Sequence, residues 1–139
     1  MKRKGFTLME LLIVIGIIAI LAAIVIIAIN PARQLALSRN AQRESNVNTI
    51  LNAVHQQALD NKGVVLAAIP GCDTPGNVGT GDVNLTALTP TYLAAIPTDP
   101  TDGTDADTKY TICKTAENRV TVAAPNASEV AGVTISVTR

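Results

Sequence analysis

The sequence predicts an α+β chain in which a long N-terminal helix, membrane-spanning in its first half, packs by its second half on a small antiparallel β-sheet. Three observations predict it. Every residue from Leu11 to Ile29 is apolar or Gly. Val47, Ile50, Leu51, Val54 and Ala58 then fall on one stripe of a 3.6-residue period. Near the C-terminus, three short stretches alternate apolar and polar residues, as half-buried strands do.

The apolar helix comes first. With Phe6 to Glu10 added, the run is about 36 Å long at ~1.5 Å per residue, enough to cross a hydrocarbon core of about 30 Å. This one segment accounts for an apolar fraction of 47% in a chain with only 2% aromatics. A removable secretory signal would have a shorter apolar region with an Ala-x-Ala-like site after it. Here the run is too long, and no two alanines between Ala19 and Ala41 stand two apart. A plain signal anchor fits the length and the cationic Lys2, Arg3 and Lys4 in front. It leaves unexplained what lies between.

That piece reads Lys4-Gly5-Phe6-Thr7-Leu8-Met9-Glu10. A carboxylate on a helix entering a bilayer costs ~2.5–3.5 kcal/mol at the centre and less near the interface. Glu10 therefore either snorkels to the membrane surface or has a partner. A cut after Gly5 would supply one, the new α-amine of Phe6. Gly before the cut is small and flexible enough for a protease that binds extended substrate.

Lys-Gly-Phe-Thr-Leu-Met-Glu followed by Leu-Leu-Ile-Val-Ile resembles the class III signal of type IV prepilins and type II secretion pseudopilins, over residues 2–29. The resemblance implies a pilin-like ladle fold and a cytoplasmic leader, residues 1–5, removed between Gly5 and Phe6 by a prepilin peptidase. It also implies N-methylation of Phe6, and pairing of Glu10 with the Phe6 amine of a neighbouring subunit. The partners implied are further copies of the chain in a helical filament, the inner-membrane assembly machinery of a pilus or secretion system, and the membrane itself. One departure is Pro31, about one turn later than the usual proline of this helix. Proline removes a backbone hydrogen bond and clashes with the carbonyl four residues back, here Ile27, so a kink is expected just beyond the apolar run.

Residues 6–30 thus form the membrane and filament-core helix, and residues 31–63 its amphipathic continuation. Arg33, Arg39, Gln42 and Arg43 are expected on the faces away from the apolar stripe. Asn61-Lys62-Gly63 is a stop signal, with Gly suited to the left-handed position after a helix. Residues 64–139 make up the C-terminal region. Val64 to Leu93 is punctuated by Pro70-Gly71, Pro75-Gly76, Gly79, Gly81 and Pro90 and reads as loop. Thr89-Pro90 is expected to start a short helical turn running to Ala95. Strands are expected at 110–114, 120–124 and 133–138, with Ala116-Glu117-Asn118 as the turn between the first two. Three such strands cannot stand alone, and the 47–58 stripe is their natural cover.

Cys72 and Cys113 are the only cysteines. In a chain that leaves the cytosol an even count reads as a disulfide, against two unpaired small core residues. Leu88-Thr89-Pro90-Thr91-Tyr92-Leu93, then Ile96-Pro97-Thr98-Asp99-Pro100 and Lys109-Tyr110, look like the part of major pseudopilins that contributes a calcium site, although the usual Trp-Gly is absent. Asp102, Asp105 and Asp107, in a loop eased by Gly103, are the candidate calcium ligands; a solvated turn uses the same residue types.

No catalytic set is present: no Ser/His/Asp combination, no G-x-x-x-x-G-K, no H-E-x-x-H and no C-x-x-C. His55, the only histidine, sits among Gln and Asn and is expected to be solvated or packed. Without Lys2, Arg3 and Lys4 the chain keeps 8 basic against 11 acidic residues, the wrong balance for gripping phosphates. Three aromatics offer no stacking platform for nucleic acid. The reading is a filament subunit, with a monomeric membrane-tethered binding module as the alternative.

Overall fold

The structure is a computed structural model that describes residues 5–139; the leader's Met1 to Lys4 lie outside the described residues. It has two compact units, one ending at Leu35 and one spanning Ala36–Arg139. The elements are those of an α+β pilin-like fold: a long apolar helix, a second helix and a small antiparallel sheet.

In the first unit, α1 runs Leu8–Ile29 and carries no buried residue. By length and composition it can cross a membrane. The single helix expected over residues 6–63, kinked near Pro31, forms as two helices. Asn30 turns left-handed at φ 44°, and α2 restarts at once over Pro31–Asp60. Asn is among the few residues that enter this conformation cheaply. Pro at the first helical position gives up only an N–H that would be orphaned anyway. The Asn30 carbonyl then accepts from the Arg33 and Gln34 amides, and its side-chain oxygen from Arg33 N at 3.3 Å. Asn-Pro therefore ends one helix and caps the next, where a kink was expected.

In the second unit, α2 buries Val47, Ile50, Leu51, Val54 and Ala58, the stripe read from the sequence, and extends it back through Asn40 and Arg43. It stops with Lys62 and Gly63 both at positive φ, and Gly63 N donating to Ala58 O at 2.7 Å. That is the hydrogen bond of a Schellman ending.

Among the described residues the sheet has four antiparallel strands in the order β1 (Gly76–Asn77), β2 (Thr111–Lys114), β3 (Val120–Ala124) and β4 (Ile135–Thr138). Three were expected; β1 is the addition. Ile112 lies opposite Val122, and Val122 opposite Val137, so one face carries the apolar row. That row shares a single buried cluster with the α2 stripe, Tyr110 and the connecting residues Val78, Val83, Leu85 and Leu88. The β2–β3 turn lies where expected, with Asn118 at φ 62°. The helical turn expected from Pro90 to Ala95 instead forms earlier, as a 3₁₀ turn at Thr86–Leu88. A second 3₁₀ turn spans Pro125–Glu129. A disulfide joins Cys72 to Cys113 and ties the Gly-rich loop to β2.

Candidate functional site

Gly5, Phe6 and Thr7 precede the helix and are non-helical. Helix formation starts at Leu8 rather than Phe6 because Thr7 is an N-cap. Its hydroxyl accepts from Glu10 N at 3.2 Å, while Glu10 Oε2 accepts from both the Thr7 amide and the Thr7 hydroxyl at 2.8 Å. This is a capping box, in which residues three apart satisfy each other's orphan groups. Thr-Leu-Met-Glu is its sequence signature.

Two consequences follow for processing chemistry. The Gly5–Phe6 peptide bond sits in irregular, exposed backbone, with Phe6 84% exposed and open space around Gly5. A protease can therefore bind it extended without first unwinding a helix. The Glu10 carboxylate enters the apolar segment already hydrogen-bonded, which lowers the penalty of carrying a charge there. Beyond it every α1 side chain is exposed and apolar or Gly. The family model for the prokaryotic N-terminal methylation motif matches residues 1–29. The chain opens with a class III signal. Over residues 1–29 that signal is of the type IV prepilin kind, and the apolar helix fits a membrane-anchored precursor. No curated protein and no solved structure matches the chain.

The second unit holds a polar cluster that sequence reasoning missed. Arg43, expected on a solvated face, is buried to 1% exposure on the core side of α2. Its Nε and Nη2 bind both oxygens of Asp99, at 2.7 and 3.1 Å, and Nη2 also donates to Thr101 Oγ1 at 2.8 Å. Nη1 donates to Asn40 Oδ1 at 2.7 Å and Glu129 Oε2 at 3.0 Å. All five guanidinium N–H groups are thus used. Arg39 adds a second ion pair to Glu129, and Asn40 Nδ2 donates to Ala127 O. One turn along, Asn46 Nδ2 donates to the buried Tyr110 hydroxyl at 2.9 Å and to Thr98 O.

Burial alone would raise the Asp99 pKa, but the Arg43 hydrogen bonds and the Thr101 amide outweigh it and hold the carboxyl at about 2. Glu129 is held at about 2 by Arg39, then Arg43. Arg43 is raised by its bond to Asp99, against the cost of burial. The arrangement can fasten three chain segments together. It has no open nucleophile or acid–base pair to do chemistry.

The candidate calcium ligands are not brought together. Asp107 is bonded to Lys109 Nζ at 2.6 Å, and that contact lowers its pKa. Asp102 accepts from Asn126 Nδ2 at 2.9 Å. Asp105 offers its carbonyl to the Thr80 amide at 3.0 Å. Among the described residues no three His, Cys, Asp or Glu side chains are placed to hold a metal. The positive charge at the 98–102 loop is the Arg43 guanidinium. His55 is half-buried and bonded to Leu51 O within its own helix.

Proposed function

We propose that the mature chain is a structural subunit of a type IV pilus-like filament, assembled through α1 after cleavage between Gly5 and Phe6. The observation that supports this best is a helix of 22 residues with no side chain buried, lying within the segment that matches the methylation motif. Leaving so much apolar surface uncovered is unfavourable in water at roughly 25 cal/mol per Å². Lipid covers it in the precursor, and the α1 helices of other copies cover it in a filament. On this reading a prepilin peptidase makes the cut and methylates Phe6. Glu10 then exchanges its local Thr7 partner for the Phe6 amine of a neighbour. The assembly machinery of a pilus or secretion system moves the subunit out of the membrane.

Gly5→Leu should leave the leader attached and the chain in the membrane. Glu10→Val should still be cut and membrane-bound, yet fail to polymerise when it is the only copy. Sheared, detergent-free surface material is assayed for polymer containing mature-length chain. Filaments at wild-type yield from either variant would refute the corresponding step. Recovery of the wild-type chain only as membrane-bound monomer would replace the filament reading with a tethered binding module.

A further inference from the structure

We propose that Asn84 is a glycosylation site whose side-chain nitrogen accepts a sugar from a lipid-carried, phosphate-activated donor. Two tripeptides have the Asn-x-Ser/Thr form of an acceptor on an exported surface loop: Asn84-Leu85-Thr86 and Asn126-Ala127-Ser128. The structure separates them sharply.

Asn84 is exposed, between the buried side chains of Val83 and Leu85, which fix the backbone on either side. Its Oδ1 accepts from Thr86 Oγ1 at 2.7 Å and from Thr86 N at 2.9 Å. Its Nδ2 donates to no group among the described residues. An amide nitrogen is a poor nucleophile because its lone pair is delocalised onto the oxygen. Two donors on Oδ1 stabilise negative charge there, so an Nδ2 proton is lost more readily as the nitrogen attacks. A turn that only capped the Thr86–Leu88 segment would need the Thr86 amide, not its hydroxyl as well.

Asn126 has none of this. It is half-buried in a 3₁₀ turn, and its Nδ2 is occupied by Asp102 Oδ1 at 2.9 Å. The Ser128 hydroxyl is turned away to Pro125 O at 3.1 Å. The same tripeptide pattern is therefore poised at one position and locked at the other.

In the transfer, Asn84 Nδ2 attacks C1 of the sugar and the C1–O bond to phosphate breaks. The bonding pair leaves with the phosphate, and an Nδ2 proton passes to a base of the transferase. No oxidant or reductant is needed. The Cys72–Cys113 bridge places the second unit where disulfides persist, away from cytosolic nucleotide sugars, so the donor is a sugar on a polyprenyl phosphate carrier. The proposal depends on export of this unit and not on filament formation, so the two fail independently.

The test is intact mass and peptide mapping of the full chain purified from the cells that make it. A saccharide increment is expected on the peptide carrying Asn84. Asn84→Asp keeps the Oδ1 acceptor and the turn but lacks the nitrogen, and it should lose the increment without lowering the melting temperature. Thr86→Val should lose it too, while Thr86→Ser and Asn126→Gln should keep it. A bare Asn84 in the wild-type chain overturns the proposal. So does an increment that survives in Asn84→Asp, or one that maps to a Ser or Thr hydroxyl.

Discussion

Replacing Arg43 by Met keeps the length of the side chain and removes all five donors. Asp99 is then left with a fully buried carboxylate, 0% exposed in its side chain, facing the Thr101 amide at 2.9 Å and the Asn126 side chain. Breaking a buried pair from one side costs about 3–5 kcal/mol, since the surviving charge is stranded. Against a usual total of about 5–15 kcal/mol, that is roughly a fifth or more of the stability of the second unit. Arg43→Lys should be nearly as damaging, because an ammonium has three donors in a different geometry for a fork of five acceptors. Urea unfolding followed by circular dichroism measures the loss, and its pH dependence identifies the cause. The Asp99 carboxyl lies at about 2 in the fold against an ordinary 3.8, roughly 2–2.5 kcal/mol at ~1.36 kcal/mol per pH unit. A lowered carboxylate contributes stability that is complete above its unfolded pKa and is lost as pH falls through the folded one. The wild-type unit should therefore lose about that much between pH 5 and pH 2, and Arg43→Met should not. A cost under about 1 kcal/mol for Arg43→Met, the size of an exposed pair, would refute the reasoning. So would parallel pH profiles for the two proteins.

Three further outcomes are expected. Cys72→Ser with Cys113→Ser removes a bridge spanning 41 residues and should cost about 4 kcal/mol in the chain-entropy account, read as a fall in melting temperature of roughly 15–30 °C; non-reducing peptide maps with both thiols free would contradict the bridge itself. Gly103→Ala should cost about 1–3 kcal/mol, because a new Cβ would lie 2.3 Å from the Asp99 amide nitrogen and 2.9 Å from its carbonyl oxygen; an unchanged melting curve would contradict that packing. Millimolar calcium should leave the melting temperature where EDTA leaves it, because Lys109 already pairs with Asp107; a calcium-dependent rise abolished by Asp102→Ala would restore the calcium reading of the loop.

The two halves of the chain were unequally legible. Length and unbroken apolarity were enough for α1, and the stripe from Val47 to Ala58 placed the buried face of α2. Strands β2 to β4 followed from alternation, within two residues at their starts. The two-residue β1 is too short to show any period, and its Gly76-Asn77 reads as turn. Arg43 was misplaced because a charge on a helix is ordinarily solvated. Yet carrying the stripe back one heptad from Val47 and Ile50 lands on Asn40 and Arg43, and Asp99 was in view without its partner. The Thr7–Glu10 capping box was also on the page, hidden by reading Glu10 as a group that either snorkels or awaits another subunit. Asn30-Pro31 was read through the proline's clash alone, without the cap that Asn supplies.

The Cys72–Cys113 bridge has a consequence for precursors that stall. In a reducing cytosol both thiols stay free, and the second unit lacks the ~4 kcal/mol that the bridge supplies. At about 1.4 kcal/mol per tenfold, such a body would be open to proteases roughly a thousand times more often than one that has crossed. On the exported-subunit reading proposed above, the bond works as a stamp of delivery: a chain that has not reached the oxidising side is the one more open to degradation.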